Sequence, residues 1–234
     1  MSRLYLYQTV HVAGGRPRLV PHHAEVLTRT ARELFGCDYA PDADALEQRI
    51  AEAARAEHYP PEVSGFVRIE VTADGRERLV PAGLSLYRGY ALRSVRPDVR
   101  IVRYDYPGAD LPTSARETTT LLLRQQIGAA GTVIRCDGDG FCRTADEAPL
   151  FAVCEGEVFA SLAPPSVERE LALRAIRTLG MPLRDGFLTA DMLPCMEELF
   201  YVDHRGVTAL GHCGEVPYLA LTARRIADTM EGMF

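Results

Sequence analysis

The stretch GFVRIEVTADGRERLVP, residues 65–81, is the tightest constraint on how this chain folds. Val67, Ile69 and Val71 alternate with Arg68 and Glu70, so a period of two puts the apolar set on one face and the charges on the other. Asp74-Gly75 then supplies the turn of an antiparallel hairpin. The opening RLYLYQTVHVAGGRPRLV has the same logic: an apolar, aromatic strand, a turn at Gly14-Gly15 and a short return strand. Tyr5 and Tyr7 share one face of that first strand. Between the two hairpins the period changes to helical. Val26, Leu27, Thr30, Ala31, Leu34 and Phe35 recur along one stripe that stops at Gly36, and Leu46, Ile50 and Ala53 line a second helix capped by Asp42 or Asp44 and ended by Pro60-Pro61.

GLSLYRGYAL and VRIVRYDYP read as further strands. PGADLPT, residues 107–113, holds two prolines and a glycine and reads as a linker. The second half opens with a helix from Ser114 to about Ala129, followed by TVIRCD, a Gly138-Asp139-Gly140 turn, FCRTAD and the hairpin LFAVCEGEVFAS. A helix capped by Ser166 and Gly180, a short strand, a helical turn, the strand LFYVDHRGV and a terminal helix complete the chain. Antiparallel hairpins with peripheral helices predict an α+β fold in two lobes: residues 1–106, the linker 107–113, and residues 114–234.

Net charge is −6 and the arginines are scattered, which argues against nucleic acid as a partner. No run approaches the roughly 18 apolar residues of a membrane span. The N-terminus passes straight into a strand without a signal-peptide pattern, so a cytoplasmic protein is expected. Six cysteines without a CxxC pair read as reduced thiols, and no metal is expected. One composition fact bears on chemistry: the 26 basic residues counted as Lys plus Arg are all arginine. Codon bias accounts for Arg on solvated faces. It supplies no substitute where a primary amine is required, because a guanidinium stays protonated and forms no Schiff base.

The order of elements resembles the class IV aminotransferases, the fold-type IV pyridoxal-phosphate (PLP) enzymes that include branched-chain and D-amino acid aminotransferases and aminodeoxychorismate lyase. The resemblance is carried by LYQTVHVAGGRPRLVPHHAEVLTRTARELFG, RQQIGAAGTVIRCDGDGFCRTADEAPLFAVCEGEVFA, SVERELALRAIRTLGMPLRD and ADMLPCMEELFYVDHRGVTAL, which together cover nearly the whole chain. It implies a two-lobed fold-type IV architecture, a homodimer, and a cofactor site needing a Schiff-base lysine, a carboxylate on the pyridinium nitrogen, an arginine on the phosphate and a helix N-terminus beneath it. Position by position these are missing. The lysine falls at or beside Pro112, with Leu111, Thr113 and Ser114 as neighbours. Thr144 stands at the pyridinium carboxylate, with Asp146 and Glu147 nearby. His23 matches the leading histidine, but the phosphate arginine falls at Val26, with Arg29 a turn further on. Val167 and Glu168 replace the Ile-Thr pair of the phosphate helix, while Arg169 keeps its arginine; Gln8 and Pro149 are further departures.

The resemblance therefore implies a fold without bound PLP, and a cleft put to another use by a small-molecule ligand. Arg68 is a candidate for a ligand carboxylate, with a salt bridge to Glu70 as its alternative. Arg116, Arg205, Thr144, Tyr5 and Tyr7 are further candidate substrate-binding residues. Asp203 and His204 form a candidate catalytic pair, since a histidine beside an aspartate suits a general base. His212 and Cys213 are adjacent and point apart, with no third group to orient them. The expectation is a PLP-independent enzyme or binder of a small carboxylate-bearing metabolite, with a non-catalytic structural or regulatory subunit pairing with an active relative as the alternative and a PLP-dependent aminotransferase or lyase as the third reading.

Overall fold

The computed structural model describes residues 4–60, 62–128 and 131–234. Pro61 and Ala129, expected at element boundaries, lie outside these. Packing divides the chain into two compact units: Met1–Gly89 with Leu111–Ala115, and Tyr90–Asp110 with Arg116–Phe234.

In the first unit, β1 (Tyr5–Ala13), β2 (Arg16–Pro17), β3 (Ser64–Thr72) and β4 (Glu77–Ser85) form an antiparallel sheet in the order β2-β1-β3-β4. Helices α1 (Val20–Phe35) and α2 (Ala43–Ala56) cover one face. The alternation expected from sequence holds: Val67, Ile69 and Val71 pack with Leu6, Val10 and Val12 against Leu27, Ala31, Leu46 and Ile50. Asp42 is the N-cap of α2 and accepts from Ala45 N at 2.8 Å. Ala54 rather than Ala53 is fully inside, one step round the helix.

The second unit contains two five-stranded sheets. One runs β10-β9-β8-β11-β12 and the other β14-β13-β5-β6-β7. Their strands are β5 (Val99–Arg103), β6 (Thr132–Cys136), β7 (Cys142–Ala145), β8 (Leu150–Cys154), β9 (Glu157–Ala160), β10 (Leu183–Asp185), β11 (Glu198–Asp203), β12 (Gly206–Ala209), β13 (His212–Cys213) and β14 (Val216–Pro217). One apolar core joins the sheets through Ile134, Cys136 and Cys142 from the second, and Leu150, Ala152, Leu199 and Tyr201 from the first. The helices are α3 (Ser114–Ile127), α4 (Val167–Thr178) and α5 (Leu221–Glu231), with a 3-10 turn at Ala190–Cys195. All six cysteines are free thiols; Cys136 and Cys142 are buried.

The division point corrects the expected boundary at residue 106. Residues 90–106 belong with the second unit for two reasons. β5 pairs in parallel with β6, from Val99↔Thr132 to Arg103↔Cys136. Ahead of it, Ala91 O accepts from Val207 N at 3.1 Å and Arg93 N donates to Val207 O at 2.8 Å, so the chain adds itself to β12. Tyr90 is fully buried and stacks on Phe234 with centroids 5.8 Å apart. The close approach fixes Gly206. Its φ is +118°, and a Cβ there would sit 2.4 Å from Ala91 O.

The N-terminus of α5 has no side-chain cap of its own, since Ala220 stands at the N-cap. Glu198, only 4% exposed, reaches across to fill that role. Its carboxylate accepts from Thr222 N at 2.8 and 3.0 Å and from Ala223 N at 3.0 Å. These charge-assisted bonds satisfy amides that burial would otherwise strand. Glu198→Ala therefore lowers stability by about 2–3 kcal/mol in urea denaturation, whereas a loss under about 0.5 kcal/mol, typical of a surface substitution, would contradict the cap.

Candidate functional site

In the first unit, the sheet face turned away from α1 and α2 carries the polar half of each alternation. Tyr7 lies opposite Glu70 and Thr9 opposite Arg68 in the β1–β3 register. The Arg68 guanidinium sits 4.3 Å from the centre of the Tyr7 ring, a cation–π contact that holds a half-buried arginine in place. Glu70 pairs with Arg78 of β4, at 3.0 Å to Nε and 2.7 Å to Nη2. The segment expected to carry a lysine runs beside the same strand. Tyr7 N donates to Pro112 O at 2.9 Å, Tyr5 N donates to Ser114 Oγ at 3.3 Å, and Leu6 bridges Thr113. Tyr5, Tyr7, Arg68 and Pro112 are accordingly neighbours within one unit. On α1, His23 is buried with Nδ1 3.0 Å from Gln8 Oε1, while Arg29 points outward and is exposed.

The second unit contributes two clusters. One surrounds the N-terminus of α4, where Ser166 accepts from Arg169 N at 3.2 Å. Glu168 follows in the first turn, and its carboxyl is pushed up to about 7, first by burial and then by the Asp203 carboxylate nearby. Asp203 ends β11 and is clasped by Arg205: its backbone N is 2.8 Å from Oδ1, Nε is 2.8 Å from Oδ2, and Nη2 also bonds Oδ2. Burial alone would raise the Asp203 carboxyl, but Arg205 and His204 outweigh it and hold the group below its ordinary value. A carboxylate so held is a weak proton acceptor. Asp146 completes the cluster; burial pushes it up although it accepts from Val133 N at 2.9 Å.

The other cluster gathers arginines. Asp146 (φ +44°) and Glu147 (φ +73°) are the two left-handed residues of a tight turn closed by Ala145 and Ala148, which exchange bonds of 2.8 and 2.9 Å. Arg116, 6% exposed, donates to the Glu147 carbonyl, pairs with the Glu147 carboxylate at 3.9 Å and reaches Asp110 O at 3.4 Å. Arg135 of β6 and Arg143 of β7 both bond the Asp110 carboxylate, Arg135 at Oδ1 and Arg143 at Oδ2.

The structure brings Tyr7 together with Arg68, and Asp203 together with Arg205. Arg116 goes to a different cluster, engaged by Glu147 and Asp110. His204 is half-buried at the β11–β12 turn, and Thr144 is buried opposite Arg135. Sequence reasoning passed over Asp110, Arg135 and Arg143. The alternation of Ile134 and Cys136 with Arg135 carried the signal, since a charge between two core residues must face something.

The resemblance implies a PLP site, and the residues at its implied positions are these. No lysine exists to carry it. At the helix that the resemblance aligns with the phosphate, Glu168 would set a carboxyl against a dianion, next to an Asp203 that is already paired with Arg205. The phosphate arginine position is Val26, and exposed Arg29 faces solvent. Thr144 offers a buried hydroxyl where a pyridinium nitrogen needs a carboxylate.

Glu168 also sets a pH signature. Its folded value near 7 lies above that of the unfolded chain, near 4.5, so the native state binds more protons between the two. Its contribution to stability is full below the lower value, falls as pH rises through this window, and is gone above about 7. Glu168→Gln removes the penalty. Relative to wild type, the variant gains on the order of 1–3 kcal/mol at pH 8 compared with pH 4.5, read by urea denaturation at both values. Equal differences at the two pH values would contradict the half-buried, carboxylate-facing placement.

Similarity to known proteins agrees with this architecture. The profile of the amino-transferase class IV family matches residues 5–203. No curated protein sequence matches the chain. Among solved structures, a Thermotoga maritima protein assigned as a branched-chain amino acid aminotransferase superposes with a TM-score of 0.81 at 18% identity, over 98% of this chain and 85% of that one. The Escherichia coli branched-chain amino acid aminotransferase gives 0.77 at 14% identity, over 98% and 85%. A Legionella pneumophila protein assigned as a 4-amino-4-deoxychorismate lyase gives 0.75 at 14% identity, over 98% and 89%. Matched along most of its length and carrying the fold throughout, the chain belongs to the amino-transferase class IV family.

Proposed function

We propose that this family member works without lysine-bound PLP and binds a small carboxylate-bearing metabolite. The observation that carries the first half is the sequence itself: among 26 basic residues there is no lysine, and the family's covalent chemistry requires one. Glu168 in the first turn of α4 supports it independently, because its carboxylate opposes the phosphate even of a cofactor held without a covalent bond.

The second half is supported by Arg68. Its guanidinium lies 4.3 Å from the centre of the Tyr7 ring, on the polar face of the β1–β3 pair. A planar guanidinium supported on an aromatic face suits bidentate recognition of a carboxylate. His204 remains the candidate acid–base group, next to an Asp203 whose charge is committed to Arg205.

One observation favours a second reading, a non-catalytic structural or regulatory subunit. Arg116 and Arg205, both candidates for ligand contact, are bound to carboxylates or carbonyls of this same chain. A protein that neutralises its own charges in this way has fewer to offer a ligand.

The PLP-independent reading is checked on the purified chain incubated with excess PLP, followed by borohydride. The expected outcome is no visible aldimine absorbance and no reduced adduct within the fold. A yellow, borohydride-sensitive species of defined stoichiometry would sink it.

A further inference from the structure

β6 and β7 pair antiparallel with a fault. Arg135 lies opposite Thr144 and Cys136 opposite Cys142, which leaves Arg143 as an extra residue at a β-bulge. Ile134, Cys136, Cys142 and Ala145 face the core, so Arg135 faces the other way. In a regular hairpin the neighbour of a core residue such as Cys142 would have a cross-strand partner of its own. The bulge frees Arg143 from that register and turns it toward Arg135, the kind of re-aiming for which bulges are used. Two guanidiniums from adjacent strands therefore meet at one point, with Asp110 bridging them, one oxygen to each.

The arrangement is costly for a purely structural contact. Arg135 is only 3% exposed, and its Nε is buried with no hydrogen-bond partner. Asp110 uses a single oxygen on that guanidinium, and Asp105, at 3.6 Å from Nη1, is largely in solvent. Close by, Tyr106 stacks on Tyr104, whose ring lies 5.7 Å from the Arg135 guanidinium, and the Tyr106 hydroxyl is also buried without a partner. Two buried donors thus lack acceptors around two convergent arginines. A fork-on-fork carboxylate, using Nε and Nη2 together, would satisfy Arg135 where Asp110 does not.

Resting on the reading of a carboxylate-bearing ligand, we infer that Arg135 and Arg143 form the binding site for the carboxylate of a small organic acid, and that Asp110 occupies it as a tethered stand-in. Exchange of one carboxylate for another leaves the local charge unchanged, so no uncompensated arginine is created when the ligand enters. Asp110 competes because it is part of the same chain and so is present at high effective concentration. The site differs from Arg68 in that its selectivity comes from displacement. A ligand binds only by offering better geometry than the aspartate, and its remaining body meets the Tyr104 and Tyr106 rings.

Isothermal titration of the full chain with succinate, with succinamide as the uncharged control, tests this. Asp110→Asn removes the competing charge and is expected to bind succinate at least about tenfold more tightly than wild type. Adding Arg135→Gln is expected to abolish that gain. Succinate binding to the Asp110→Asn chain no tighter than to wild type, or succinamide binding as well as succinate, would overturn the inference. If Asp110→Asn does not fold, the decision passes to wild type, where succinate should raise the unfolding temperature above that in succinamide at matched ionic strength; identical temperatures would overturn it. Neither result touches the aldimine assay, so failure here leaves the PLP-independent reading standing, and an aldimine would defeat that reading whatever succinate does.

Discussion

Burying arginine is the constraint around which the second unit is arranged. Arg116, Arg135 and Arg169 are all less than 9% exposed. A guanidinium does not shed its charge as a buried lysine or histidine does, so each must be met by a carboxylate or by carbonyls. Arg116 is met by Glu147 and Asp110, Arg135 by Asp110, and Arg169 by Asp185 of β10. These pairings tie down the segment that contains Asp110 and brace the tight turn at Asp146-Glu147 and the end of β10, where Asp185 also pairs with Ala160. Removing one partner would leave its arginine exposed to the full cost of burial, which ties these loops together energetically.

The same economy shapes the site. In a chain without lysine, permanent side-chain positive charge comes from a planar, five-donor group whose stem is long and whose geometry is directional. Arg205 closes on Asp203, and Arg68 lies along Tyr7. Meanwhile Glu168 places a carboxyl at the helix terminus where the family resemblance implies a phosphate. The electrostatics of that corner are therefore inverted relative to the implied cofactor site, while the fold around it is kept. A fold leaves its chemistry to the residues placed on it, and in the reading proposed above those residues no longer serve PLP.

Much of the fold was legible because it rests on short-range pattern. The alternation at Val67, Ile69 and Val71, the Asp42 cap and the helical stripe of α1 each declare themselves within a dozen residues. The unit boundary was not legible, because it depends on the distant pairings of β5 with β6 and of Ala91 with Val207. The proline-containing segment 107–113 looked like a linker, but Asp110 is held by arginines more than 20 residues further on, and Pro112 receives a hydrogen bond from Tyr7. Site residues divided along the same line. Tyr7 and Arg68 could be placed on one sheet face by period two alone. The convergence of Arg135 and Arg143 could not, because it needs a bulge, and nothing local in TVIRCD or FCRTAD marks one. Arg116 reads from sequence as either a ligand contact or part of a solvated helix face, because its partner, across 31 residues at Glu147, leaves no local signal.

In the proposed reading, charge closes the phosphate end of the family's cofactor site in this chain, independently of the missing lysine. Pyridoxamine phosphate isolates that claim, since it carries the phosphate and ring but needs no amine from the protein. Equilibrium titration at pH 8, where Glu168 is ionised, should give no saturable binding at millimolar pyridoxamine phosphate. Saturable binding in the micromolar range, lost when phosphate is omitted from the ligand, would contradict the account.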